Sequence, residues 1–211
     1  MSKSMNGASS LYRLAAAAIA SVSLIATPAR ADDAAEKFVA EILVDANGVF
    51  AAPDLAARNA GIEKLVDKYV DMNRVARFAL GPYVRQASDA QMAEYLPLFR
   101  KYATTVYQST LDPYSGESLE VTDSVDRSDR DFIVNSKVVN AKPGSQYADL
   151  VVHWRVYRAA DGKQSIVDAG ASGVWLAIEQ QSTFKSVIAN NGGGAAGIDA
   201  LIRDLKSKLG E

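Results

Sequence analysis

Few residues in this chain have the types and spacing that catalysis requires. The chain has one histidine, His153, and no cysteine, so it lacks a histidine pair for a metal, a thiolate ligand and a disulfide. His153 lies in the middle of a predicted strand, where we interpret it as a surface or edge residue. The stretch Gly170-Ala171-Ser172-Gly173 does not have the Gly-x-Ser-x-Gly spacing of a nucleophile elbow. We therefore predict no catalytic residue and no metal site.

Acidic side chains offer two further candidates. The first is a cluster that alternates with two arginines in one turn: Asp123, Asp126, Asp129 and Asp131, with Arg127 and Arg130. Its spacing differs from that of an EF-hand, and the mixed charge favours a solvated hairpin over a calcium site. The second is Asp168, which lies beside a run of very small residues. An acid in an apolar cavity can abstract a proton, as in isomerases, so this role remains an alternative although the predicted register points Asp168 outward.

The segment from Leu150 to Phe184 organises the predicted fold. It predicts a strand, a tight turn at Asp161-Gly162, a second strand ending at Gly173, and a helix that begins at Val174. Asp-Gly is typical of a two-residue hairpin loop because both central residues of a type I′ turn need positive φ. The resulting register pairs Trp154 with Ala169, Val156 with Val167, and Val152 with Ala171, so that the first and last pairs set a larger residue against an alanine.

The run from Ala169 to Gly173 provides almost no side-chain volume on its strand. Protein interiors are close-packed and do not tolerate a missing layer of side chains. Either a helix packs directly on this run, or something other than protein fills the gap. The sequence alone leaves both possibilities open, and they imply different functions.

Hydrophobic periodicity predicts the other elements. Residues 33–111 show helical spacing, with a capping box at Ser88 and Gln91 and a proline, Pro97, that we expect to kink the last helix. Residues 118–173 alternate with a period of two and predict an antiparallel meander. The second and third strands should be joined by a loop with an odd number of residues, because only then do their even-numbered apolar residues share a face.

The final part of the chain predicts two more helices within residues 174–209, the second from Ile198 to Leu209, separated by a glycine turn at Gly192 to Gly194. The predicted class is α+β, with a twisted antiparallel sheet of four strands and helices packed on one face. Residues 32–211 are predicted to form a single domain.

Residues 1–31 resemble a secretory signal peptide. Sparse positive charge precedes a predominantly apolar segment of 13 residues from Leu14 to Ala26, and Ala29-Arg30-Ala31 is a small-x-small cleavage site. The apolar stretch is shorter than the ~20 residues that a membrane-spanning helix needs. Cleavage would leave 180 residues with 20 basic and 25 acidic side chains. This acidic balance argues against nucleic acid as a partner, and export with such a site suggests the bacterial periplasm.

Several segments resemble the MlaC-type (toluene-tolerance) family of periplasmic phospholipid-binding proteins. In the first half they are residues 69–81, 87–91 and 99–102; in the second half, Trp154-Arg155, Asp161-Gly162, Ile166-Val167-Asp168, Gly173-Val174-Trp175-Leu176, Phe184, and a glycine-rich turn before Leu201 and Leu205. The likeness covers nearly all of residues 32–211 in the right order. Two departures are Ser172-Gly173-Val174-Trp175, where acid-Gly-Val-Ser is common in the family, and Pro97.

The resemblance implies a monomeric lipid carrier without a cofactor, in which helices and a twisted sheet enclose a hydrophobic pocket for phospholipid. The implied partners are an inner-membrane ABC transporter with an MCE-domain subunit and an outer-membrane lipoprotein-porin complex, and the implied role is maintenance of outer-membrane lipid asymmetry. The residues expected to line the pocket are Phe78, Leu80, Tyr83, Phe99, Tyr102, Val106, Phe132, Val134, Val138, Val152, Trp154, Val167, Ala169, Ala171, Gly173, Val174 and Phe184.

Three alternatives remain open beside the phospholipid carrier. A hopanoid-associated branch of the same family would carry a different lipid. An isomerase-like enzyme acting on a small hydrophobic substrate would use Asp168. A structural or adaptor protein would have the run from Ala169 to Gly173 sealed by helix side chains.

We predict that the exported protein is cleaved after Ala31. Its intact mass should correspond to residues 32–211, and N-terminal sequencing should begin at Asp32. Ala31→Trp should block this cleavage, because the signal-peptidase site requires a small residue there, whereas Ala34→Trp, three residues after the site, should not. An unprocessed chain in the periplasmic fraction would contradict the assignment.

Overall fold

The computed structural model describes residues 32–111, 117–141, 143–145 and 147–211. In chain order, its helices and strands are α1 Asp33–Phe50, α2 Leu55–Tyr69, α3 Met72–Ala79, α4 Asp89–Leu111, β1 Ser118–Ser128, β2 Asp131–Val139, β3 Val151–Arg158, β4 Gln164–Ala171, β5 Val174–Trp175, α5 Leu176–Asn190 and α6 Gly194–Leu209. A 3₁₀ helix, Gly81–Arg85, follows α3. The predicted signal peptide lies outside the described residues.

The sheet is an antiparallel meander in the order β1-β2-β3-β4-β5, so the prediction of four strands is corrected to five. The additional strand arises because Ser172 and Gly173 both have positive φ, 51° and 81°, and reverse the chain in two residues. This turn pairs Ala171 with Val174. As a result α5 begins at Leu176 rather than at Val174.

The predicted β3–β4 register is confirmed at two of its three pairs. Val152 pairs with Ala171 and Trp154 with Ala169, but Val156 pairs with Ile166 instead of Val167. The hairpin loop has three residues rather than two, because the Ala159 N–H bonds to the Lys163 carbonyl and the Gly162 N–H bonds to the Ala159 carbonyl. A bulge at Val167 compensates for the extra loop residue.

The face of the sheet that carries Trp154 packs against α1. Phe132 lies opposite Val156 and Val134 opposite Trp154, so even-numbered apolar residues of β2 and β3 share this face as predicted. We call the resulting core the sheet cluster; its buried members are Ala35, Val39, Ile42, Leu43, Tyr69, Phe132, Val134, Val156 and Ile166. An ion pair of 2.5 Å between Arg158 and Asp32, the N-cap of α1, ties this helix to β3.

A second core lies among the helices α3 to α6. We call it the helical cluster; its buried members are Val75, Ala76, Ala79, Leu80, Met92, Tyr95, Leu98, Phe99, Ala103, Ala177, Phe184, Ile188, Ile198, Leu201, Ile202 and Leu205. The predicted capping box of α4 is confirmed, since the Gln91 N–H bonds to the Ser88 hydroxyl and the Ser88 N–H bonds to the Gln91 side chain. Pro97 lies inside α4, and its expected kink stays a prediction.

The last helix begins at Gly194, four residues before the predicted start at Ile198. The crossing of α5 and α6 depends on Gly197, because a Cβ there would lie 2.4 Å from the Ile188 carbonyl oxygen. That distance is too short for any side chain, so glycine sets how closely the two helices approach.

We predict opposite effects for two Gly→Ala substitutions in helices. Gly197→Ala should lower the free energy of unfolding by about 1–3 kcal/mol, because the methyl group overpacks the α5–α6 contact. Gly48→Ala is the control: nothing lies within 4 Å of its Cβ position in α1, so it should raise the free energy of unfolding by roughly 0.5–1 kcal/mol. Urea denaturation measures both, and equal effects would contradict the packing described.

Candidate functional site

Asp168 of β4 binds the first turn of α5. Its Oδ1 accepts hydrogen bonds of 2.9 Å from the backbone N–H groups of Ala177 and of Ala169. The residue at the N-cap position of α5, Trp175, makes no capping side-chain bond. The first N–H groups of a helix have no partner within it and favour a negative charge. Asp168 therefore caps α5 from a neighbouring strand.

The expectation that Asp168 points outward into solvent is wrong. Asp168 pairs with Arg155 and Gly170 with His153, so these side chains share the face opposite Trp154. The start of α5 covers this face at Asp168, which is 5% exposed. Helices thus contact both faces of the sheet, α1 on one and α5 on the other, rather than one face as predicted.

Burial determines the electrostatics around Asp168. Desolvation raises the pKa of its carboxyl group, against the opposing effects of its two backbone hydrogen bonds and of the Arg155 charge. Its Oδ2 atom is buried and has no hydrogen-bond partner in the described part of the chain. Burial, with a smaller contribution from the Asp168 charge, also raises the pKa of Tyr107 on α4 to about 12.

The indole of Trp175 lies over Gly170, on the face of the sheet opposite the one where the sequence predicted a gap above Ala169 and Ala171. A Cβ at Gly170 would lie 2.8 Å from Trp175 Cδ2 and 2.8 Å from the Val174 carbonyl oxygen. The Trp175 and His153 rings are stacked, with centroids 5.8 Å apart. At Gly170 the space is therefore occupied by the protein itself, whereas Ala169 and Ala171, on the opposite face, are only partly buried.

The predicted pocket residues fall into two groups. Those in or packed against the helical cluster are Leu80, Tyr83, Phe99, Tyr102 and Phe184. Those in or packed against the sheet cluster are Phe132, Val134 and Trp154. The structure does not bring the two groups together, but Val70, at the junction of α2 and α3, packs against both clusters.

The other predicted pocket residues differ in exposure. Val138 is buried, while Val106, Val152, Val167, Ala169 and Ala171 are partly buried. Phe78 is 38% exposed and Val174 is 50% exposed, and Gly173 lies in the exposed turn before β5.

A concavity of about 600 Å³ lies where the α2–α3 junction faces Pro97 of α4 and the β3–β4 loop. Its wall includes Val70, and also Arg74, whose guanidinium lies 3.6 Å from the centre of the Tyr157 ring. A second concavity, of about 520 Å³, lies between α1 and the end of α2. None of the predicted pocket residues lines either of them. Sequence periodicity offered no signal for these sites, because they form where elements distant in sequence meet.

Two members of the acidic cluster, Asp123 and Asp131, are engaged in ion pairs and hydrogen bonds. Asp131 binds Arg155 at 2.8 Å and Arg127 at 3.3 Å, and Asp123 accepts from Asn135 at 2.5 Å. Within the described ranges, no group of three or more acids and histidines could hold a metal ion. No helix in the same ranges is both long and apolar enough to cross a membrane.

The fold is therefore an α+β sheet-and-helix fold with two apolar cores, and comparison with known proteins assigns its family. Residues 37–207 match the family described as MlaC protein, so the chain belongs to the MlaC family. Its fold is similar to that of a phospholipid-binding protein from Ralstonia solanacearum, solved in complex with a phospholipid. The TM-score is 0.68 at 22% sequence identity, over 84% of this chain and 99% of that one.

We predict that the titration of Asp168 lowers the stability of the folded protein as the pH rises. Because the pKa of Asp168 is raised in the folded state, its carboxyl group binds more protons in the folded protein than in the unfolded chain between pH ~4 and the raised pKa. The free energy of unfolding of the wild type, relative to that of Asp168→Asn, should therefore fall as the pH rises from about 4 through the raised pKa.

Urea denaturation of both proteins from pH 4 to pH 8 measures this difference in the free energy of unfolding. The contributions of groups that titrate alike in the two proteins cancel. Asp168→Ala is the matched variant: it leaves the Ala177 N–H without its cap and should be less stable than Asp168→Asn by about 1 kcal/mol. A difference between wild type and Asp168→Asn that stays constant with pH would contradict the burial of a charged carboxylate.

Proposed function

We propose that this protein is a carrier that binds phospholipid and moves it through the periplasm between the inner and outer membranes. The observation that carries the proposal is membership of the MlaC family over residues 37–207. The similarity of its fold to a phospholipid-binding protein solved with its lipid supports it.

A carrier of this kind works by shielding hydrocarbon from water. Each methylene group removed from water is worth about 0.8 kcal/mol, so two acyl chains left in an aqueous compartment would cost on the order of 20 kcal/mol. An apolar pocket removes that cost without chemistry. A binding and transport role, not an enzymatic one, accords with Asp168 being engaged as the cap of α5 instead of facing an open cavity.

We place the acyl chains along the boundary between the sheet cluster and the helical cluster. This boundary separates two complete apolar cores, and Val70 packs against both. A molecule inserted there would lie beside Val70 and would leave both cores intact. The seventeen predicted pocket residues therefore remain our proposal for the lining.

The proposed setting follows from the family. The protein would be exported by its signal peptide, act as a monomer, and receive or deliver lipid at an ABC transporter with an MCE-domain subunit and at an outer-membrane lipoprotein-porin complex. Removal of misplaced phospholipid by this route would maintain the lipid asymmetry of the outer membrane. A hopanoid is the alternative cargo within the same family.

We predict that the protein purified from its bacterial host contains phospholipid, identified by mass spectrometry of an organic extract. Ala171→Trp should lower the molar lipid content at least several-fold, because the added ring occupies a partly buried position in the proposed lining. Ala189→Trp, at an exposed position on α5, is the control and should leave the lipid content unchanged.

The fold of each variant is checked by circular dichroism and thermal unfolding. Equal lipid content in folded Ala171→Trp and in the wild type would remove Ala171 from the lining. Absence of any lipid from the wild-type protein, before and after incubation with phospholipid vesicles, would contradict the carrier function itself. A hopanoid in the extract would identify the alternative cargo.

A further inference from the structure

We infer that Trp175 is a movable plug, whose indole fills the space over Gly170 when no lipid is bound and leaves it to an acyl chain on loading. The inference rests on the proposed carrier function and assigns one residue a role in how lipid enters. It follows from what surrounds the indole, how weakly the indole is held, and which neighbouring contacts would survive its movement.

The space beneath the indole exists because residue 170 is a glycine. Trp175 Cδ2 and Cε3 lie 2.8 Å and 3.1 Å from the position that a Cβ would take there. The flanking residues on the strand are alanines, Ala169 and Ala171, whose side chains point to the other face. Displacement of the indole would therefore expose a flat strip of backbone, with no side chain between His153 and the indole position.

The indole is held by few interactions. Its ring stacks on His153 at an interplanar angle of 27°, and Trp175 remains partly exposed. None of the hydrogen bonds within the described ranges involves the Trp175 indole nitrogen. The other tryptophan differs, because Trp154 Nε1 donates to the Ser136 hydroxyl at 2.9 Å. Of the two indoles, Trp175 can move without breaking a polar bond.

The backbone around Trp175 also permits movement. β5 has two residues and follows a turn in which Ser172, a residue with a side chain, adopts φ of 51°. Positive φ is unfavourable for such residues, so the turn carries a conformational cost that the short β4–β5 pairing offsets. The first turn of α5 is anchored separately by Asp168 through the Ala177 N–H. The plug can thus withdraw while α5 stays capped.

Tryptophan fluorescence tests the inference, because the chain has two tryptophans. Trp154→Phe leaves Trp175 as the reporter, and Ser136 keeps its bond to the Val152 carbonyl. We compare delipidated protein with protein reloaded from phosphatidylethanolamine–phosphatidylglycerol vesicles, and measure the emission maximum and acrylamide quenching. On loading, Trp175 should shift to longer wavelength and its quenching constant should rise at least twofold.

The companion variant is Trp175→Phe, in which Trp154 alone reports, so that any change of Trp154 emission on loading is measured separately from that of Trp175. Gly170→Ala provides a second variant, because its methyl group cannot coexist with the indole or the Val174 carbonyl oxygen in their present positions. In a Trp154→Phe background, this variant should show the loaded type of Trp175 emission without lipid.

The lipid content of each sample, measured by mass spectrometry, separates the two proposals. Bound lipid with unchanged Trp175 emission and quenching would overturn the plug and leave the carrier function intact. No bound lipid in any sample would overturn the carrier function, and the plug with it. If Trp154→Phe does not fold, the difference between wild type and Trp175→Phe reports the Trp175 signal instead.

Discussion

One buried hydrogen bond, from the Ala177 N–H to Asp168 Oδ1, fixes where the C-terminal helices begin relative to the sheet. Without it, the first turn of α5 would have an unsatisfied donor against an apolar surface, which costs about 1–3 kcal/mol. The Asp168 carboxylate that accepts this bond is itself buried. The cost of desolvating the carboxylate therefore replaces the cost of leaving the Ala177 N–H without a partner. The positions of Phe184 and Ile188 in the helical cluster depend on this anchor, because they lie further along α5.

The capping role also requires the chain to turn tightly between Asp168 and Ala177. β4 continues to Ala171, reverses at Ser172-Gly173 and returns along its own edge before the helix starts. The turn has only two residues, so the chain returns along β4 early enough in sequence for the Ala177 N–H to bond to Asp168. The small residues of this run therefore allow the tight junction between β4 and α5. They also leave space above the strand.

Patterns local in sequence were sufficient to predict much of this fold. The capping box at Ser88 and the shared face of β2 and β3 follow from spacing. The β3–β4 pairs near Trp154 match the prediction only because the bulge at Val167 compensates for a loop one residue longer than expected. β5 was not predictable in this way, since two residues have no periodicity. The outward placement of Asp168 was wrong because alternation assigns a residue to a face but does not reveal what covers that face.

The missing side chain at Gly170 and the indole that covers this residue are two consequences of one constraint. A carrier must be stable with and without its cargo, and an empty apolar cavity costs stability in proportion to its volume. A cavity that is always open would destabilise the unloaded protein, while one sealed by fixed core residues could not accept lipid. A side chain that is large, aromatic and held only by stacking and by packing on Gly170 satisfies both requirements, because the contacts it loses on leaving can be replaced by contact with the incoming hydrocarbon.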